Sequence, residues 1–309
     1  MSVLHPALLL GTALVTINVL QSILAQLITV KAIAPAFYLS AVVFSTECLK
    51  LLMAGLSTLF YLYKTNTREV PTQRTVLSMA IPAVLYTISN TLTYHSIAMM
   101  GSTNFQIWGN LRIFFTAVLS RVVVGRPMRI LQWVAIFLLL VGASAPSAMA
   151  CNHQHTPSTP SAPAILCITA QTLCTSLAGV YQEMTFKSSD QHFTVKNAAL
   201  YTWTCIFCGL KLQADFQSSD AGLFSGFSAI TWICVVVYAC YGQVVSLTLA
   251  YCDNLVKVFA TSFAATATLV VDALMLGRDV ENGQVLGAAM VFVSTGLFYV
   301  DVERLSKLL

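Results

Sequence analysis

Residues 228–250 are SAITWICVVVYACYGQVVSLTLA, a run without a single Asp, Glu, Lys or Arg. A helix rises about 1.5 Å per residue, so a run of this length exceeds the roughly 30 Å hydrocarbon core of a bilayer. Comparable apolar runs recur along the chain. They predict ten helical spans, at residues 7–28, 36–63, 76–99, 103–124, 130–150, 163–187, 194–212, 228–250, 255–277 and 284–302.

The composition excludes a water-soluble protein. Of the 309 residues, 57% are hydrophobic and 9% are charged, whereas an ordinary soluble domain has about 25% charged residues. The net charge of +4 comes from scattered cations, so no nucleic-acid partner is expected. The expected fold class is all-α integral membrane protein, with membrane lipid around it.

The distribution of cations predicts the topology. With a cytoplasmic N-terminus, only Lys31, Lys211 and Arg278 fall on the opposite side. The cytoplasmic loops and tail then hold Lys64, Arg68, Arg74, Arg121, Arg126, Arg129, Lys187, Lys196, Arg304 and Lys307. The positive-inside rule therefore predicts that both termini are cytoplasmic.

The nine cysteines do not predict a disulfide framework or a metal site. All but Cys151 lie in or beside apolar segments, where a cysteine behaves as a small buried hydrophobe. Cys205 and Cys208 form a C-x-x-C motif, for which packing is the preferred interpretation. Residues 151–155 open a Pro/Ser/Thr-rich loop and are interpreted as a polar connector rather than metal ligands.

A short internal echo predicts two repeats. Residues 112–116 (RIFFT) resemble residues 257–261 (KVFAT), and each copy begins with a cation inside an apolar span. Two inverted five-helix repeats, at about 1–150 and 163–309, would form a single transporter domain over 1–309. Inverted repeats that hold substrate near the midplane are a recurrent plan among transporters.

The cations at membrane depth are the leading candidates for binding residues. A charge at the bilayer centre costs several kcal/mol, so each one needs a partner or a wet cavity. Arg112 and Lys257 therefore predict a site for an anion such as phosphate. The alternative is that each pairs with an internal carboxylate, the candidates being Glu47, Glu183, Asp253 and Asp272. Glu47 and Lys50 are three residues apart, and mutual neutralisation is the preferred interpretation for them.

Several amide and aromatic side chains join these candidates. The amides of Asn90, Gln106, Asn110, Asn197 and Asn254 offer donors and acceptors to a base or a sugar. Singly, each such amide more often links neighbouring helices. The aromatic candidates for stacking or gating are Tyr86, Phe105, Tyr181, Tyr201 and Tyr251, for which packing is the alternative.

Motifs along nearly the whole chain resemble one family of membrane proteins. The matching segments are residues 47–50 (ECLK), 82–86 (PAVLY) with Asn90, 105–106 and 111–117, 132–133 with Gly142, 178–183 with Lys187, 196–197 with Tyr201, and 251–259. In order and spacing they resemble the nucleotide-sugar transporters of solute carrier family 35. The similar branch carries CMP-sialic acid, UDP-galactose and UDP-N-acetylglucosamine.

The resemblance implies a function and a set of binding residues. It implies the ten-helix drug/metabolite transporter fold, a Golgi or ER membrane, no cofactor, and exchange of a pyrimidine nucleotide sugar for a nucleoside monophosphate. Asn90, Arg112, Asn197, Tyr201 and Lys257 match positions that line the family's nucleotide pocket. Phe105, Gln106, Tyr181 and Asn254 complete the predicted substrate-binding set, and Glu47, Lys50, Glu183 and Asp253 are predicted structural or gating charges.

The chain departs from this branch at four positions, which leaves its base and sugar open. Arg112 replaces the usual Lys, Thr91 a second Asn, Phe105 a Tyr, and Ala250 a Lys. The other functions considered are a different drug/metabolite exporter, a transport-dead scaffold and an intramembrane aspartyl enzyme that uses Asp253 and Asp272. The enzyme is disfavoured because no catalytic motif such as Gly-x-Gly-Asp occurs. A homo-oligomer is left open.

Overall fold

The computed structural model describes residues 4–31, 36–67, 69–153, 161–188, 191–216, 223–225, 227–276 and 282–299. These residues form α-helices and contain no β-strand. The helices are α1 (Leu4–Lys31), α2 (Ala36–Thr65), α3 (Gln73–Gly109), α4 (Leu111–Val122), α5 (Ile130–His153), α6 (Ala162–Lys187), α7 (Phe193–Phe216), α8 (Ala229–Tyr251), α9 (Asn254–Leu276) and α10 (Asn282–Tyr299).

Most predicted spans coincide with a helix, but the span predicted at 103–124 does not, because its first residues belong to α3 and α4 covers only Leu111–Val122. The sequence suggested a break between residues 99 and 103, whereas α3 continues to Gly109. A single glycine costs a helix only about 1 kcal/mol, so Gly101 does not end it. The interruption lies at Asn110, whose N–H donates to the main-chain oxygen of Ile107, three residues back, at 3.3 Å.

Several helices are long and apolar enough to cross a membrane. Among the described residues these are Ser40–Thr65, Gln73–Met100, Ala162–Lys187 and Ala229–Tyr251. Shorter apolar helical segments occupy Leu9–Gln21 and Ile130–Ala145. Many large apolar side chains on these helices are exposed, among them Leu52, Leu56 and Phe60 of α2. The chain is therefore a multi-pass, all-helical membrane protein.

The chain divides into two compact units. Unit one comprises Met1–Ile88 and Tyr181–Lys257, and unit two comprises Ser89–Val180 and Val258–Leu309. In unit one, α2 packs against α7 and α8, and α1 packs against α8. Asn18 of α1 donates to the Tyr241 hydroxyl of α8 at 3.2 Å. This polar link fixes one register of two otherwise apolar helices.

In unit two, small residues bring α5 and α10 close together. A Cβ atom added at Gly142 would lie 2.6 Å from Met290 Cβ, and one at Gly283 would lie 2.7 Å from Met149 Cβ. Ser294 of α10 is fully buried and donates to the main-chain oxygen of Ala135 at 2.6 Å. Small residues replace the hydrophobic effect as the basis of helix association in lipid, because they allow backbones to approach.

Candidate functional site

Both predicted phosphate-binding cations lie in the first turn of a helix. Arg112 is the second residue of α4, after the interruption at Asn110, and belongs to unit two. Lys257 is the fourth residue of α9 and belongs to unit one. Anions are favoured near helix N-termini, where unpaired N–H groups and the helix dipole are positive. At α9 this positive end already faces two protein carboxylates, so the helix start does not by itself indicate a bound ligand.

The start of α9 is held by two of the predicted structural charges. Asp253 Oδ1 accepts the main-chain N–H of Val256 at 2.7 Å, and Glu183 Oε2 accepts that of Asn254 at 2.9 Å. Glu183 is buried, and its other oxygen accepts from Lys187 Nζ at 2.7 Å. These carboxylates satisfy N–H groups that a helix start leaves unpaired. They consequently fix the turn that carries Lys257.

The first turn of α4 is attached to α6. Ser176 Oγ donates to the main-chain oxygen of Arg112 at 3.1 Å, and Thr116 Oγ1 donates to Ser176 Oγ at 3.2 Å. Thr116 and Ser176 are both buried, whereas Arg112 is exposed. The hydroxyl pair therefore positions the backbone of Arg112 and leaves its side chain at an accessible surface of unit two.

Asn197 is joined to α2 through a residue that the sequence analysis missed. Its Nδ2 donates to Gln243 Oε1 at 2.9 Å, and Gln243 Nε2 donates to the main-chain oxygen of Lys50 at 2.9 Å. Asn197 is 1% exposed. The signal available in the sequence was that Gln243 is an amide inside an otherwise apolar span.

The Glu47–Lys50 pair forms as predicted and belongs to the same group of residues. Lys50 Nζ donates to Glu47 Oε1 at 2.7 Å, and Thr204 Oγ1 donates to Glu47 Oε2 at 2.8 Å. The Lys50 ammonium lies 5.8 Å from the centroid of the Tyr201 ring, within the range of a cation–π contact. The predicted structural pair therefore lies beside a predicted substrate-binding aromatic.

Tyr201 itself is a buried side chain of α7. Its hydroxyl is 2.9 Å from Ser246 Oγ of α8. We call Glu47, Lys50, Asn197, Tyr201 and Gln243 the α2–α7–α8 cluster. It unites two predicted substrate-binding residues with the predicted ion pair in unit one.

The remaining predicted residues have mixed surroundings. In unit two, Asn90 and Gln106 are exposed, and Phe105 packs against the apolar cluster of Met100, Ala164 and Ile168. In unit one, Tyr181 is half-buried and Asn254 is 1% exposed. Their binding roles stay predictions. The side chain of Asp272 lies outside the described residues.

The topology prediction counts Lys196 with the cytoplasmic loops, but the residue lies inside a helix. Its side of the membrane stays a prediction. Lys196 lies in the first turn of α7 with 0% exposure, the largest fully buried side chain of the described chain. Its ammonium donates to the main-chain oxygens of Thr185 and Ser188 at 2.9 and 2.6 Å, at the end of α6. A cation stabilises the carbonyl end of a helix. That partner comes from packing, so counting loop charges could not reveal it.

The cysteines are free thiols where the structure describes them. Cys205 Sγ lies 3.5 Å from Cys48 Sγ of α2, so the C-x-x-C motif faces another helix and packs there. Among the described residues no group of His, Cys, Asp and Glu could hold a metal ion. The side chains of residues 151–155 lie outside the described residues.

Comparison with known proteins identifies the family. A family model described as "Nucleotide-sugar transporter" matches residues 8–299, nearly the whole chain. The chain belongs to the nucleotide-sugar transporter family. The resemblance inferred from the sequence motifs is thereby confirmed.

Named relatives of this transporter cover most of its length. It is 31% identical over 264 residues to "CMP-sialic acid transporter 1" of Oryza sativa subsp. japonica, which covers 81% of this chain and 82% of the relative. It is 27% identical over 292 residues to the "UDP-N-acetylglucosamine transporter" of Rattus norvegicus, with 88% of each chain covered. Both relatives are named as transporters.

A solved structure shares the fold of the transporter. One crystal structure superposes with a TM-score of 0.74 over 97% of this chain and 98% of the other, at 12% identity. At this identity the likeness is informative about the fold alone.

Proposed function

We propose that this transporter exchanges a pyrimidine nucleotide sugar, such as CMP-sialic acid or UDP-galactose, for a nucleoside monophosphate across the Golgi membrane. The observation that carries the proposal is the family match over residues 8–299. Relatives named for CMP-sialic acid and UDP-N-acetylglucosamine support a pyrimidine nucleotide as the common part of the cargo.

The proposed binding residues suit such a ligand. Arg112 and Lys257 bind phosphate, since Arg presents a planar fork and Lys a flexible point charge. Asn90, Asn197 and Tyr201 bind the nucleoside, and Phe105, Gln106, Tyr181 and Asn254 complete the set. A nucleotide sugar and a nucleoside monophosphate share the nucleoside and one phosphate. The same residues therefore bind both ligands in turn, which is what exchange requires.

The proposed arrangement in the membrane has ten spans. The ten helices form two inverted five-helix repeats, both termini are cytoplasmic, and access to the substrate alternates between the two sides. Glu47, Lys50, Glu183 and Asp253 serve as structural or gating charges. Accessibility labelling tests the topology: residues 65–75 should react from the cytoplasmic side and residues 156–163 from the other.

The transport proposal is tested with purified protein in liposomes. Vesicles are preloaded with CMP, UMP, GMP or AMP, and the uptake of a panel of labelled nucleotide sugars is measured. We expect a pyrimidine monophosphate inside the vesicles to stimulate uptake. Stimulation by GMP alone would assign a purine cargo, and binding without any transport would favour a scaffold.

The alternative of another drug/metabolite exporter has a distinct chemical expectation. The cations Arg112 and Lys257 disfavour cationic cargo, so an amine exporter of the wider superfamily fits this chain poorly. Uptake of amines that is insensitive to nucleotides would support that alternative against the proposal.

A further inference from the structure

The amide groups of Asn197 and Gln243 have a fixed orientation. The main-chain oxygen of Lys50 can only accept a hydrogen bond, so Gln243 must present its NH₂ group to it. Gln243 Oε1 is then the atom that faces Asn197, and Asn197 must present its own NH₂ group in turn. Rotating either amide by 180° would bring two oxygens together. The orientation of both amides therefore follows from one backbone carbonyl.

The close approach of α8 to α2 makes this chain of hydrogen bonds possible. Gly242, next to Gln243, has no side chain where Lys50 passes. A Cβ atom there would lie 2.5 Å from Lys50 Cε and 2.9 Å from Lys50 Cδ. The missing Cβ lets the Lys50 side chain lie against the α8 backbone, beside the residue that bonds the Lys50 carbonyl.

The side-chain oxygen of Asn197 lies at the end of this series of hydrogen bonds and accepts none of them. Asn197 Oδ1 is buried and has no hydrogen-bond partner among the residues that the structure describes. A buried acceptor left unsatisfied costs about 1–3 kcal/mol. Native proteins seldom keep such a group without a ligand, a water or a functional reason.

We propose that Gln243 is a positioning residue that makes Asn197 a pure hydrogen-bond acceptor, and that Asn197 Oδ1 accepts from an N–H or O–H group of the nucleotide. This inference rests on the proposed function, since it assigns a ligand feature to one residue of the same site. The donor is either an N–H of the pyrimidine base or a ribose hydroxyl.

The proposal differs from the usual way in which an amide recognises a base. A free Asn pairs with a base edge through one donor and one acceptor, and it can rotate to suit different edges. Here the NH₂ group is already used by Gln243. Asn197 therefore requires a donor from the ligand, and it rejects a ligand whose donor at that point is blocked.

Access to the oxygen requires a change of conformation. With Asn197 only 1% exposed, its side chain is covered in the present structure. The nucleotide reaches it in a conformation that opens the covering side chains, as a carrier with alternating access must do.

The first experiment uses the unaltered protein and needs no mutant to fold. Binding of CMP and UMP is compared with that of analogues that lack one donor each. N4,N4-dimethyl-CMP and N3-methyl-UMP remove base donors, and 2′-deoxy-CMP and 3′-deoxy-CMP remove ribose hydroxyls. We expect one of these analogues to bind about tenfold more weakly, because it leaves the acceptor unpaired.

The second experiment identifies Gln243 as the cause. Gln243→Met keeps the length of the side chain but frees the Asn197 amide to rotate. In this variant, we expect the ratio of the dissociation constants of the weak analogue and the parent nucleotide to fall from about tenfold to about threefold or less. The matched control is Gln182→Met, which removes another buried amide of unit one that bonds to Tyr86. The control should lose thermal stability without a change in this ratio.

The outcomes separate the two proposals. Equal binding of all the analogues by the unaltered protein would overturn the acceptor role of Asn197. An unchanged ratio in Gln243→Met would reduce Gln243 to a structural residue. Neither outcome overturns the transport proposal, because nucleotides still bind and transport is decided by the uptake experiment. The absence of any nucleotide binding would overturn both.

Discussion

Glu183 of α6 accepts the main-chain N–H of Asn254 at the start of α9 at 2.9 Å. The two residues are 71 positions apart in the chain, and both are buried. The bond positions the helical turn that carries Lys257. A carboxylate of one helix thus acts on a predicted binding residue of another through the backbone.

This relationship predicts different effects of two substitutions. Glu183→Ala leaves the Asn254 N–H without its acceptor, which costs about 1–3 kcal/mol, and we expect a lower melting temperature and weaker nucleotide binding. Glu183→Gln keeps an acceptor oxygen and loses only the ion pair with Lys187, whose side chain is 39% exposed. Its effect should be much smaller. Equal losses in the two variants would contradict this role.

The second prediction concerns Arg112 and Lys257. If each binds the phosphate of the nucleotide, replacing either by Ala should weaken binding by about 30-fold or more, since losing one partner of a charged hydrogen bond costs at least about 2 kcal/mol. The melting temperature without ligand should change little. Binding constants and melting curves of the purified variants measure both effects.

The controls for these two cations test the alternative of internal ion pairs. Lys64→Ala, at an exposed position in the last turn of α2, should leave binding unchanged. The double variant should be less than additive, because both cations act on one ligand. If each cation instead pairs with a carboxylate, the Ala variants will melt at a lower temperature even without ligand. Removing that carboxylate as well will then restore their stability.

The third prediction compares two glycines in helices. Gly242→Ala would put a Cβ atom 2.5 Å from Lys50 Cε, so the Lys50 side chain must move. We expect a loss of only about 1 kcal/mol, because the displaced atoms are the flexible end of a lysine side chain. Nucleotide binding should weaken, because Lys50 lies beside Tyr201, a predicted binding residue. Gly55→Ala meets no atom within 4 Å and should stabilise α2 by roughly 0.5–1 kcal/mol. If the two substitutions changed the melting temperature in the same direction, this explanation would be contradicted.

The fourth prediction concerns pH and a carboxylate at the end of α7. The hydrogen bond from Ser40 and the nearby Lys211 ammonium, 3.2 Å away, lower the pKa of Asp215 below its ordinary 3.8. A lowered pKa means that the ionised form is favoured in the folded state. The stabilisation is therefore present above about pH 4. It is lost as the pH falls through the pKa of the folded protein.

The matched variant for Asp215 is Asp215→Asn. We expect this variant to have a slightly lower melting temperature than the unaltered protein at pH 7. The loss of unfolding free energy should be less than about 1 kcal/mol, because the Asp215 side chain is 33% exposed. The two melting temperatures should converge in acid. A gap that stays constant down to pH 3 would show that the charge is not responsible.

The positions of the helices could be predicted because they depend on short stretches of sequence. The run at residues 228–250 corresponds to α8 (Ala229–Tyr251), and that at 36–63 corresponds to α2 (Ala36–Thr65). Bilayer thickness sets a minimum length for an apolar segment, and backbone groups in lipid must bond within their own helix. Neither requirement depends on other parts of the chain.

Polar partners on different helices could not be predicted in the same way, unlike the Glu47–Lys50 pair within α2. The sequence indicated that Lys50, Asn197 and Lys257 are costly in a membrane, and the order of motifs indicated the family. Only the tertiary structure decided that Gln243 connects Asn197 to the Lys50 carbonyl, that Lys196 binds the end of α6, and that α3 continues to Gly109. Hydrogen bonds between helices distant in sequence depend on which faces meet and in what register, and that is set by the packing of the whole unit.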